Sequence, residues 1–126
     1  MLDWQNISSW QVLLIDDEPD NLEVVAESLE FYGIAVETAK NGQLGLEKLE
    51  TFAPTLILLD LSMPGLSGEE TFHELRGINP QVRVVLSSGY SQTEAARRFV
   101  NQPVAGFLQK PYDVEMLIAE VWRHLH

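Results

Sequence analysis

Five short apolar runs recur along the chain, and segments with helical spacing separate them. The runs are VLLID (12–16), IAVET (34–38), TLILLD (55–60), VRVVLS (82–87) and VAGFLQ (104–109). Each is brief and rich in aliphatic or β-branched residues, as strands buried on both faces are. Between them, Leu22, Val25, Ala26 and Leu29 fall at i, i+3, i+4 and i+7, and Val114, Leu117, Ile118 and Val121 repeat the pattern near the C-terminus. Strand and helix therefore alternate five times. That order predicts a doubly wound α/β fold, a parallel sheet with helices on both faces and right-handed crossovers.

Local signals set the expected boundaries. Asp20 with Glu23 is an acidic variant of a capping box, and Ser91 with Glu94 is the usual form. Asp113 is a good N-cap for the last helix, Gly33 a good stop for the first, and Asn41-Gly42 reads as a turn. Phe72 and Leu75 mark a third helix after Gly68. The second helix, near 43–50, carries Gly45 in its interior at about 1 kcal/mol. Residues 1–11 stand outside the pattern as an N-terminal extension, and 12–126 form the expected domain. Trp4 and Trp10 are expected to cover part of the fold, with a partner-docking arm as the alternative.

Composition narrows the function classes. A chain of 126 residues, 45% hydrophobic and 21% charged, has enough apolar surface for one core. It has no apolar run long enough to span a bilayer, no leader-like N-terminus and no cysteine, so a cytoplasmic domain without membrane insertion is expected. The first sixty residues hold 12 acids and two lysines, whereas the rest hold seven acids and six basic residues. Such an acidic half disfavours direct nucleic-acid contact and attracts cations or basic partner surfaces, although acids also serve simple solubility.

In an open parallel sheet, ligands gather beyond the C-terminal ends of the strands. At that edge the sequence puts Asp16, Asp17 and Glu18, then Asp60, then Ser87-Ser88, then Lys110-Pro111. Singly, these read as a helix N-terminal charge cluster, a loop serine and a solvated lysine. Together they form a negative site of hard oxygen ligands, suited to Mg²⁺ and, through it, to phosphate. Lysine would meet a phosphoryl oxygen as a point charge, and serine could donate to another. Asp60, the acid that stands apart from the pair, is the candidate nucleophile for an aspartyl phosphate.

At these residues the sequence resembles the receiver domain of two-component response regulators, over about residues 12–125. The carrying pieces are VLLIDDE, LILLDLSMPGLSG, VVLSSGY and GFLQKPY. Asp17 to Asp60 spans 43 residues, Asp60 to Ser88 spans 28 and Ser88 to Lys110 spans 22. The resemblance implies a flavodoxin-like (βα)5 fold with strand order 2-1-3-4-5. It implies that Asp60 accepts a phosphoryl group from a histidine kinase or histidine phosphotransfer protein. Asp17 would be a direct Mg²⁺ ligand, Asp16 would act largely through water, and Asp60 and the Ser62 carbonyl would complete the protein's share. Ser88 would be the switch hydroxyl and Phe107 the switch aromatic. Lys110 would bind phosphate, aimed by a cis Lys110–Pro111 bond. Ser62 and Tyr90 occupy the positions that tune dephosphorylation.

The resemblance further implies a phosphoacceptor signalling domain rather than an enzyme, with self-phosphorylation and self-dephosphorylation expected. The surface of the fourth helix, fifth strand and fifth helix would meet a downstream protein or, once phosphorylated, a second copy. Arg97 and Arg98 on the fourth helix are candidate contacts there, or plain surface arginines. A stand-alone regulator is expected, because one helix follows Lys110-Pro111; a receiver from a hybrid sensor kinase also fits. Two other readings stay open. One is a docking module independent of phosphorylation, although such domains usually lack part of this residue set. The other is a phosphatase of the haloacid dehalogenase type, which uses a D-x-D after its first strand, where this chain has Asp16-Asp17.

Overall fold

The computed structural model describes residues 10–61, 68–89, 91–99 and 104–125. Within them, five strands alternate with five helices. The strands are β1 (Gln11–Ile15), β2 (Ala35–Ala39), β3 (Leu56–Asp60), β4 (Arg83–Ser88) and β5 (Gly106–Gln109). The helices are α1 (Pro19–Phe31), α2 (Gly42–Lys48), α3 (Gly68–Ile78), α4 (Gln92–Arg98) and α5 (Val114–Leu125). All strand pairs are parallel, in the order β2-β1-β3-β4-β5. The flavodoxin-like doubly wound fold is therefore as expected, and each expected strand lies within two residues of its observed position.

The period of two along each strand divides the core into two halves. Val12, Leu14, Leu56, Leu58, Val85 and Leu108 point to one face, where Val25 and Leu29 of α1 and Leu117, Ile118 and Val121 of α5 cover them. Leu13, Ile15, Ile57, Leu59, Val84 and Leu86 point to the other, against Phe72 and Leu75 of α3, Ala95 of α4 and Phe99. Every residue of β3 is buried. Each of its leucines contributes roughly 2 kcal/mol by leaving water. Trp10 belongs to the first half-core: it is buried and packs on Trp122, with ring centroids 6.2 Å apart. Trp4 lies outside the described residues.

Helix ends show why the sequence signals held or failed. Gly33 closes α1 at φ 82°, its N–H bonding to Glu30 O (2.9 Å) while Ile34 N–H bonds to Leu29 O (3.3 Å). This is a Schellman stop, with Leu29 and Ile34 both buried. Ser91 caps α4 by accepting from Glu94 N (3.2 Å), and Asp113 accepts from Met116 N at the start of α5 (2.8 Å). The Asp20–Glu23 box does not form. Helix α1 already begins at Pro19, a residue preset for the first helical position, so Asp20 lies inside the first turn. Asn41-Gly42 is not a separate turn either, because the Asn41 side chain accepts from Leu44 N (2.8 Å) and caps α2. Gly45 has a packing reason: a Cβ there would collide with Ile15 Cδ1 of β1. Glycine lets α2 approach the sheet closely, which offsets its propensity cost.

Candidate functional site

The polar ends of β1, β3, β4 and β5 meet at one edge. Strand β1 stops at Ile15, and Asp16 continues its ladder through a bond from its N–H to Ala39 O (3.0 Å). Asp60 ends β3 opposite Ser87, and Ser88 ends β4 opposite Gln109. Asp16 is 5% exposed, Asp60 1% and Ser88 0%. Burying carboxylates this deeply is costly unless a cation and hydrogen bonds meet them.

Lys110 is that cation. Its Nζ lies 3.1 Å from Asp16 Oδ2, 3.3 Å from Asp60 Oδ2 and 3.4 Å from Glu18 Oε1. Its backbone N–H bonds to Ser88 O (2.7 Å), which ties the loop to β4, and the Lys110–Pro111 peptide is cis, as expected. Burial pulls the lysine pKa down, but the hydrogen bond to Asp16 and the charges of Asp60 and Asp16 outweigh it. The net result is a pKa above the ordinary lysine range. The ammonium is therefore fully charged at neutral pH.

Around Lys110 stand four acids. Carboxylate oxygens of Asp16, Asp17 and Glu18 lie within 4.8 Å of one another, and Asp60 lies across the lysine from Asp16. One lysine cannot balance four carboxylates, and hard oxygen donors in partial exposure suit a divalent cation such as Mg²⁺ that retains water. The donor set thus fits the metal implied by the sequence.

Ser88 is fully buried at the end of β4, and Phe107 sits on the neighbouring β5. Leu86 and Phe107 are register partners, and both belong to the half-core under α2, α3 and α4. Phe107 is half-buried and lines a groove of about 720 Å³ with Ala95, Phe99, Glu120 and Arg123. The fourth helix holds Arg97 and Arg98 differently. Arg97 is exposed and pairs with Glu94 (3.2 Å), whereas Arg98 forms a two-point ion pair with Glu69 at the start of α3. Phe99 packs edge-to-face on Phe72, with centroids 5.4 Å apart. Ser62 and Tyr90 lie outside the described residues.

Two wall residues escaped the sequence reading. Asn21 Nδ2 donates to Asp16 Oδ2 (2.7 Å), and Tyr112 lines the same small pocket as Asn21 and Asp16. Burial pushes the Tyr112 phenol up, with Asn21 acting in the opposite direction. The available signals were weak: an asparagine one turn into a helix that follows the acids, and an aromatic directly after Pro111.

The family model for the response regulator receiver domain matches residues 12–122. The nitrogen assimilation regulatory protein NtrX of Azorhizobium caulinodans is 32% identical over 90% of this chain, which covers 26% of NtrX. The chain spans about a quarter of the length of the first curated relatives it matches. Among solved structures, a CheY-like receiver domain protein from Methanospirillum hungatei superposes with a TM-score of 0.85 at 26% identity, covering 92% of this chain and 93% of that one. The response regulator TrrA of Thermotoga maritima, in complex with Mg²⁺-BeF, superposes with a TM-score of 0.79 at 28% identity, covering 92% and 99%.

Proposed function

This chain belongs to the response regulator receiver domain family, and from that premise we propose that Asp60 accepts a phosphoryl group from a phosphohistidine, with Mg²⁺ at the acidic site. The donor is a histidine kinase or histidine phosphotransfer protein of the cytoplasm. One observation carries the reading. A carboxylate only 1% exposed ends β3 within 3.3 Å of the Lys110 ammonium and beside the Asp16-Asp17-Glu18 cluster. The TrrA structure with Mg²⁺-BeF supports the same chemistry in a similar domain.

In the transfer, an Asp60 oxygen attacks phosphorus. A new O–P bond forms as the P–N bond breaks, and the departing imidazole keeps the electron pair of that bond. Bound Mg²⁺ would supply positive charge to the phosphoryl oxygens. We assign its direct protein ligands to Asp17, the Asp60 side chain and the Ser62 carbonyl, with Asp16 acting largely through water. Lys110 exchanges a carboxylate partner for a phosphoryl oxygen, which its fixed charge favours. The Ser88 hydroxyl turns toward the new phosphoryl group, and Phe107 moves into the space released. The groove beside Phe107 supports this step, because the ring has room to leave its present position. The α4-β5-α5 face then changes shape and is read by a downstream protein, a two-state element biased by a local charge event.

Incubation with acetyl phosphate and Mg²⁺ tests the assignment by intact mass. One added phosphoryl group is expected, lost with a chelator and absent in Asp60→Asn. An unlabelled wild type, or persistent labelling of Asp60→Asn, overturns it.

A further inference from the structure

Asn21 and Tyr112 take no part in the chemistry above, yet they reach the most enclosed acid of the N-terminal cluster. Asp16 Oδ1 accepts from Glu18 N–H at 3.0 Å. Its Oδ2 is shared by two donors, Asn21 Nδ2 at 2.7 Å and Lys110 Nζ at 3.1 Å. Tyr112, which directly follows the cis Lys110–Pro111 bond, lines the same small pocket as Asn21 and Asp16.

We propose that Asn21 is a positioning residue that keeps Asp16 oriented toward the metal site, both beside Lys110 and once Lys110 releases it. The inference rests on the phosphoacceptor reading. When Lys110 turns to a phosphoryl oxygen, Asp16 Oδ2 loses its charged donor. A carboxylate only 5% exposed pays heavily for a missing donor and would otherwise rotate. Asn21 is the other side-chain donor to that oxygen among the described residues. Being neutral, it satisfies Oδ2 without opposing a divalent cation, whereas the Lys110 charge competes with one. Inward rotation of Asp16 is blocked as well. The pocket behind it, walled by Leu14, Asn21, Leu22, Ser87 and Tyr112, has space for no more than a single water.

Mn²⁺ titration of the unphosphorylated protein, followed by electron paramagnetic resonance, reads the site without phosphoryl transfer. Asn21→Leu keeps the side-chain volume and removes the amide; about tenfold weaker Mn²⁺ binding is expected. Asn21→Ala removes the amide in a second, smaller side chain; about tenfold weaker binding is again expected. At saturating Mg²⁺, labelling by acetyl phosphate is expected to return to within about twofold of wild type in both variants, a split that general unfolding does not produce. Wild-type Mn²⁺ affinity in both variants overturns the positioning role and leaves the Asp60 assignment standing. If Asn21→Leu fails to fold, Asn21→Ala decides the question alone. A wild type that binds no Mn²⁺ overturns the metal-dependent reading, and this inference with it.

Discussion

The two ends of β1 and β3 are equally buried and chemically opposite. At the start, Val12 and Leu56 are register partners, both 0% exposed, and Trp10 lies against Trp122 beside them. Gln11 and Thr55 close that end, with Gln11 N–H bonding to Thr55 Oγ1 (2.7 Å) and Thr55 N–H to Gln11 O (2.8 Å). Four residues further along β3 stands Asp60, 1% exposed, with Asp16 and Lys110 around it. Burial by itself therefore does not separate core from site. The apolar end satisfies itself, and its rigidity holds the charged end in a geometry that the charges would not choose alone.

Substitutions at each end should break this contrast in opposite ways. The largest loss is expected at the apolar end, where Leu56→Ala removes about 3 kcal/mol in urea unfolding. A cost no greater than that of an exposed substitution would show that this end does not anchor the sheet.

Lys110→Met comes next. It strips Asp16 and Asp60 of their shared cation, at about 2 kcal/mol near neutral pH. The pH dependence is distinctive because the folded-state pKa of Lys110 is raised. Its contribution is complete below the unfolded lysine value of about 10.4 and is lost as pH climbs through the raised folded value. Wild type should lose stability in that alkaline window more steeply than Lys110→Met. Equal slopes would refute the ion-pair account.

Asp60→Asn should act the other way, raising stability by about 1 kcal/mol in the absence of divalent cations, since one lysine faces four acids. Thermal unfolding in chelator measures it, and a decrease would mean that the Lys110 pair outweighs the crowding.

The smallest effect belongs to a pair at neither end. Arg98→Ala should cost about 0.5 kcal/mol at neutral pH, because Glu69 and Arg98 are partly exposed. The Arg98 hydrogen bond holds the Glu69 carboxyl below its usual range, despite an opposing contribution from burial. The contribution is therefore present above the ordinary glutamate pKa and fades as pH falls through the lowered folded value. Denaturation curves between mild acid and neutral pH, with and without high salt, should show it shrinking in both acid and salt.

Most of the fold was legible because each strand writes its own burial as an apolar run and each run stops at a polar residue. Asp16, Asp60, Ser88 and Lys110 stood out for that reason, and the parallel order brought them to one edge, where Lys110 contacts the other three. What escaped depends on distances that spacing does not encode. Asn41 reads as a turn until the helix it caps is seen. Gly45 reads as a weakness until Ile15 is found against it. Arg98 reads as a surface arginine, yet its partner Glu69 lies 29 residues earlier on another helix. Asn21 and Tyr112 are ordinary residues until a helix N-terminus and a loop bring them into one small pocket with Asp16.

The strand order also has a consequence in time. Strand β1 sits between β2 and β3, so β2, the next strand in the chain, satisfies only one of its edges. Its other edge waits for Thr55 and the residues after it, 44 positions beyond Gln11. At a synthesis rate of about 5–20 residues per second, a nascent chain carries that open edge for some seconds before β3 emerges. Asp16 meets Asp60 only after that, and Lys110 arrives later still. The ribosome thus delivers the apolar scaffold, then the acids, and last the cation that makes their closeness tolerable.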